Sequence, residues 1–173
     1  ITRQLLDYGR KNPPQPVLCD LNQIIDEVLG GFKEREFEVE NIEIIRNYNN
    51  DLPKILVDPD QIRQVFFNLI NNAGDAITGS GTITISTISD EKEIHATIAD
   101  TGCGMTSEQI KKIFDPFYTT SSEGTGLGLY ITKEVIESNR AKIRHITLPA
   151  GGTCFRIYFL QAPEQQLDRV SNS

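Results

Sequence analysis

Between Asp58 and Ile77 the apolar positions follow a helical period. Ile62, Val65, Phe66, Leu69, Ile70, Ala73, Ala76 and Ile77 fall on one broad face at about 100° per residue. Gln61, Gln64, Asn68, Asn72 and Asp75 form a narrow polar stripe beside it. Asp58-Pro59 supplies an N-cap followed by proline at the first helical position. A second helix is expected over 127–138, with Leu127, Ile131, Val135 and Ile136 inward, and a third after a cap at Asp20 or Asn22, with Ile24, Ile25, Val28 and Leu29 inward. Thr82–Ser89 and Glu93–Ala99 alternate with period two and read as a hairpin. Val17–Cys19, Ile42–Ile45, Lys54–Val57, Lys142–Leu148 and Cys154–Leu160 read as further strands.

Thr101–Gly126 carries neither period. It is long, glycine-bearing and irregular, with one short helix near Ser107–Lys112, which is the character of a functional lid. Ile1–Arg10 reads as a helix with Ile1, Leu5 and Tyr8 on one side, Asn12–Pro16 as a proline linker, and Pro163–Ser173 as a polar tail. Helices and strands mix without strict βαβ alternation, so helices should be layered on one face of a mixed sheet.

Composition narrows the function. The chain has 173 residues, 38% hydrophobic, enough for one domain with a real core. Its net charge of −7 speaks against a nucleic-acid surface. No apolar run approaches the ~18 residues of a membrane span. The chain opens on Ile1, so we read it as a cytoplasmic fragment whose parent can still be membrane-anchored. Cys19, Cys103 and Cys154 are odd in number and widely spaced, against a disulfide framework or a zinc site. They read as small buried residues, with Cys103 set apart by its two glycine neighbours.

Three motifs carry candidate chemistry. In Gly124-Thr125-Gly126-Leu127-Gly128-Leu129, alternating glycines leave backbone N–H groups open to an anion. The helix that follows adds its own unpaired N–H groups, completing a phosphate cradle. Asn68 and Asn72 lie one helical turn apart, so both amides point the same way. They read either as a solvated face or as a Mg²⁺ site, amide oxygens being hard neutral ligands. Asp100-Thr101-Gly102-Cys103-Gly104-Met105 follows a strand: a carboxylate that can accept from an exocyclic amine such as adenine N6, then two glycines that let a flat ring approach, or simply an Asp-bearing turn. Phe114 and Phe117 bracket Asp115-Pro116 and are expected to pin one end of the lid.

Taken in order, these motifs resemble the catalytic, ATP-binding domain of sensor histidine kinases, within the superfamily shared with gyrase, heat-shock chaperones and mismatch-repair ATPases. Asn68–Ala76 resembles the asparagine box, Asp100–Gly104 the first glycine box, Phe114–Phe117 the phenylalanine box and Gly124–Leu129 the second glycine box. Gly152-Thr153-Cys154-Phe155 resembles the terminal Gly-Thr-x-Phe, whose threonine lies near adenine.

The resemblance implies an α/β (α+β) two-layer sandwich, about five mixed strands under three helices, with an ATP lid. It implies domain bounds of 16–161 for the ATP-binding unit, with 1–15 as the end of a phosphoacceptor-domain helix plus linker and 162–173 as a tail. It implies Mg²⁺ at Asn72 with help from Asn68, and nucleotide contacts from Asn68, Asn72, Asp75, Asp100, Gly102, Gly104, Met105, Phe117, Gly124, Thr125, Gly126, Leu127, Gly128, Leu129 and Thr153. The implied partners are a phosphoacceptor histidine domain of the same protein and a response regulator receiver domain, in a full-length homodimer.

Departures are equally visible. Ser121-Ser122 follow Thr119-Thr120 where many relatives carry a lysine, and Asn139-Arg140-Ala141 replaces a His-Gly-Gly turn. Hydrolytic relatives place a glutamate one turn before the magnesium asparagine. Here that residue is Asn68, and an amide takes no proton near neutral pH. His95 and His145 lie in expected strands without the His-Glu or His-Asp opening of a phosphoacceptor helix, so the acceptor is expected elsewhere. The leading reading is the kinase half of a two-component sensor. A nucleotide-sensing module without transfer activity and a chaperone-like ATPase switch are the alternatives.

Overall fold

The computed structural model describes residues 12–122 and 124–163. The expected helix over 1–10 and most of the expected tail lie outside the described residues. The elements are β1 (Val17–Cys19), α1 (Leu21–Leu29), α2 (Phe32–Val39), β2 (Ile42–Asn47), β3 (Ile55–Val57), α3 (Pro59–Ala76), β4 (Gly81–Ser89), β5 (Glu93–Asp100), α4 (Ser107–Ile110), α5 (Gly128–Ser138), β6 (Lys142–His145) and β7 (Cys154–Leu160). Five strands form a mixed sheet in the order β2-β4-β5-β7-β6, parallel only between β2 and β4. β1 and β3 pair apart from it as a two-stranded ribbon.

Alternation on the strands decides which face is covered. Ile83 and Ile85 of β4, Ile94, Ala96 and Ile98 of β5, and Phe155, Ile157 and Phe159 of β7 are buried together with the apolar faces of α1, α3 and α5. This is the expected two-layer arrangement. α3 is capped as its opening residues require: the Asp58 carboxylate accepts from the N–H groups of Asp60 and Gln61, and proline follows the cap.

Three details depart from the expectations. α2 was not anticipated. Its Phe37 is buried and packs where Gly74 of α3 has no side chain, since a Cβ there would lie 2.6 Å from the Phe37 ring. Gln61 leaves the solvated stripe: it is buried, accepts at Oε1 from Asn139 Nδ2 at 2.9 Å, and donates from Nε2 to the Asn12 carbonyl at 3.1 Å. β6 stops at His145, three residues early; Leu148 instead enters the turn before β7, its carbonyl accepting from Gly151 N–H at 3.2 Å, with Gly151 and Gly152 both at positive φ. The Asn139-Arg140-Ala141 turn forms without glycine. Arg140 takes the left-handed conformation (φ 59°), and Ala141 N–H closes back on the Ile136 carbonyl at 3.0 Å.

Candidate nucleotide site

α3 and α5 run antiparallel, and two side-chain contacts fix their register. Gln61 meets Asn139 near one end, and Asn68 Nδ2 reaches Thr132 Oγ1 at 3.5 Å further along. Both steps are seven residues. Four more residues on each helix bring Asn72 level with Gly128, the first residue of α5. One turn beyond Asn72, the Ala76 carbonyl accepts from Cys103 N–H at 3.1 Å. Along roughly two turns of α3 lie, in order, Asn68, Asn72 beside the start of α5, and the Asp100–Gly104 segment. Asn68 is half-buried, whereas Asn72 and Asp75 are exposed.

Asp100 is 5% exposed at the end of β5. Its Oδ1 accepts from Gly102 N–H at 2.8 Å and Thr153 N–H at 3.2 Å. Among the described residues its Oδ2 accepts no hydrogen bond, and no Lys or Arg pairs with the carboxylate. Burial pushes its pKa up, and the Gly102 and Thr153 N–H groups pull it back only in part. A carboxylate held in one orientation with one unused oxygen is set to receive a donor from outside the chain.

The glycines of this region also serve packing, a role that the sequence reading did not give them. A Cβ on Gly102 would fall 2.4 Å from the Ala76 carbonyl oxygen, and one on Gly152 1.9 Å from that of Asp100. Gly104 (φ 71°) faces the Gly152 backbone. The end of β5, the end of α3 and the turn before β7 therefore meet backbone to backbone, with Met105 half-buried against the core. Thr153, buried, accepts at its carbonyl from Asp100 N–H at 2.8 Å. Of the three thiols Cys103 alone is exposed.

On the other side, α5 begins at Gly128 with no side-chain cap, and nothing lies within 4 Å of where a Gly128 Cβ would be. Among the described residues no side chain caps its first N–H groups, which leaves them available to an anion. Leu127 is fully buried and Leu129 half-buried, which fixes the helix start, and Thr125 Oγ1 accepts from Leu127 N–H at 3.4 Å. The lid folds on itself at Gly126 (φ 72°), where a Cβ would lie 2.3 Å from the Phe117 carbonyl carbon, and at Gly124, where one would lie 2.6 Å from Thr119 Oγ1.

The two lid phenylalanines differ. Phe114 packs on the core, edge-on to Phe155 at 6.1 Å between ring centres, with Lys133 Nζ 5.5 Å from its ring. Phe117 is 66% exposed at φ 66°, so it does not pin the lid. Sequence reasoning also missed Phe37, whose signal was the bare glycine in Asn72-Ala73-Gly74. The expected short helix is α4, closed by a Thr106–Gln109 capping box and two residues shorter than expected.

A two-layer sandwich with a buried strand-end carboxylate, an asparagine-bearing helix and an uncapped helix start beneath an irregular lid defines a nucleotide-binding ATPase-type domain. A profile of the histidine kinase-, DNA gyrase B-, and HSP90-like ATPase family matches residues 57–163. The chain is 34% identical to the signal transduction histidine-protein kinase AtoS of Escherichia coli (strain K12), over 91% of this chain and 26% of that protein. It is 36% identical to sporulation kinase A of Bacillus subtilis (strain 168), over 81% and 23%. The solved catalytic domain of the histidine kinase ThkA superposes with a TM-score of 0.79 at 30% identity, covering 87% of this chain and 99% of that one. ThkA in complex with the response regulator protein TrrA gives 0.80 at 26% identity, over 95% and 47%.

The chain belongs to the histidine kinase-, DNA gyrase B- and HSP90-like ATPase family, as an ATP-binding catalytic domain of the sensor histidine kinase kind. It spans about a quarter of the length of the two curated relatives. Among the described residues no helix is long and apolar enough to cross a membrane.

Proposed function

We propose that this chain binds Mg·ATP in the cleft between α3 and α5 and donates the γ-phosphate to a histidine on a phosphoacceptor domain of the same protein. From there the phosphoryl group passes to a receiver domain of a response regulator, in a full-length homodimer. The observation that carries the reading is the free Oδ2 of Asp100, an oxygen that accepts no hydrogen bond among the described residues and is left reachable on an otherwise buried residue, placed along α3 from the uncapped start of α5. Adenine N6 donates to that oxygen, with Gly102, Gly104, Met105 and Thr153 around the base. The triphosphate lies along Gly124–Leu129 and meets the N–H groups of Gly128 and Leu129 at the start of α5. Asn72, level with Gly128, holds Mg²⁺ with help from Asn68, and Asp75 completes the polar edge. The donor set fits the ion: neutral amide oxygens on one helix face leave room for waters and phosphate oxygens. Magnesium neutralises phosphate charge, and the rest is positioning.

Asn68 argues for transfer over hydrolysis. Its amide contacts Thr132 and cannot take a proton from water. Neither histidine of the chain suits the acceptor role. His95 lies five residues before Asp100 on β5, roughly 17 Å along the strand. His145 packs edge-on to Phe155 with a pKa lowered by burial.

The test mixes this chain, a separately expressed phosphoacceptor domain and labelled Mg·ATP. Acid-labile phosphate is expected on the added domain only, and Asn72→Ala should slow transfer at least about 100-fold by removing the metal ligand. Nucleotide binding without transfer would instead support a sensing module, the reading that Ser121-Ser122 favours in place of a lid lysine. Label on this chain that disappears with His95 or His145 would contradict the proposal.

A further inference from the structure

Far from the nucleotide cleft, the turn joining β4 to β5 gathers three metal-ligating side chains. Asp90, Glu93 and His95 each offer one ligand atom, and all three atoms lie within 4.8 Å of one another. Their positions are set by the hairpin. Asp90 Oδ1 accepts from the N–H groups of Lys92 at 2.9 Å and Glu93 at 2.8 Å, which closes the turn. Its second oxygen is thereby directed to His95 Nε2, 3.6 Å away. Glu93 and His95 are two residues apart on β5 and share a face, with Glu93 Oε2 3.3 Å from the same nitrogen.

The imidazole is held from behind. His95 pairs across the sheet with Tyr158, whose ring meets it edge-on at 4.7 Å, and its side chain is 15% exposed. Among the described residues neither carboxylate has a Lys or Arg partner, so two negative charges converge on one neutral-capable nitrogen. The turn is also tied to the end of β7: Gln161 Nε2 donates to the Asp90 carbonyl at 2.7 Å, and Gln161 N–H to that of Lys92 at 3.3 Å.

We propose that Asp90, Glu93 and His95 form a divalent-metal site of the zinc class, separate from the nucleotide cleft. A tetrahedral ion with arms of about 2.0–2.1 Å has ligand–ligand edges of about 3.4 Å, and the two edges that meet at His95 Nε2 are already of that length. One nitrogen and two carboxylate oxygens suit zinc. Imidazole is a poor ligand for Mg²⁺ or Ca²⁺, so the magnesium required at Asn72 does not compete. Asp90 and Glu93 are exposed enough for water to take the fourth position. The bound ion would fasten the turn to β5 and, through Gln161, to the end of β7.

The test titrates the full chain with zinc chloride in saturating Mg²⁺, following the ¹⁵N signals of the histidine rings and the thermal midpoint. One ion per chain is expected, shifting the His95 Nε2 signal and raising the midpoint. His95→Gln and Glu93→Gln should each weaken binding at least about tenfold, and His145→Gln should leave it unchanged. Glu93→Gln serves where His95→Gln disturbs the sheet. An unmoved His95 ring signal at about 1 mM zinc, or binding undiminished in both variants, would overturn the proposal.

Discussion

Asp100→Asn is expected to weaken ATP binding about 10- to 100-fold while leaving the fold intact. The substitution keeps what the fold uses. An asparagine Oδ1 still accepts from Gly102 and Thr153 N–H. It removes what the nucleotide uses, because an NH2 donor then faces the adenine amine where an acceptor stood. A charge-assisted bond is lost and two donors are opposed. The fold should not suffer, since the buried carboxylate is itself a cost: its folded pKa lies above the ordinary value of 3.8.

The signs with pH are opposite for folding and binding. A carboxyl whose pKa is raised on folding destabilises the native state above that pKa, so the wild type gains stability as pH falls through it. Nucleotide binding needs the ionised form, so affinity falls over the same window. Asp100→Asn should flatten both curves. Calorimetry and thermal melts between about pH 4 and 8 check this; an affinity unchanged by the substitution would remove Asp100 from the site.

Gly152→Ala is expected to cost about 3 kcal/mol or more of stability and to disable the site with it. Gly152 stands at φ 79°, and a Cβ would lie 1.9 Å from the Asp100 carbonyl oxygen. Backbone, not a flexible side chain, is in the way, so relief requires parting the end of β5 from the turn before β7. That movement withdraws Thr153 N–H from the Asp100 carboxylate. Gly128→Ala is the control. Its Cβ meets nothing within 4 Å and its φ is unremarkable, so stability should stay within about 0.5 kcal/mol. Denaturant melts of both variants measure the contrast, and equal stabilities would contradict the packing account.

Period and punctuation made the frame of the molecule legible. α3 and α5 follow from their apolar faces, β4 and β5 from alternation, and the lid from the lack of either. The candidate residues were legible as motifs, but their partners were not. Gln61 and Asn68 occupy one polar stripe, and nothing local says that Gln61 is buried against Asn139 while Asn68 meets Thr132; only the crossing of α3 and α5 decides it. Phe114 and Phe117 are equivalent in sequence, yet the positive φ of Phe117 turns its ring outward. Gly102 reads as room for a ligand, and nothing local says that it also lets the Ala76 carbonyl come close. α2 escaped because Phe32–Val39 is mostly charged and its buried Phe37 answers to a glycine some forty residues away.

The most direct test of the account is an amide NMR titration of the ¹⁵N-labelled chain with Mg²⁺ and a non-hydrolysable ATP analogue. The account predicts shifts concentrated at Gly102, Gly104 and Thr153 around the base, at the side-chain amides of Asn68 and Asn72, and at Gly124–Leu129 over the phosphates. Saturable shifts confined to other surfaces, with these residues unmoved, would contradict it.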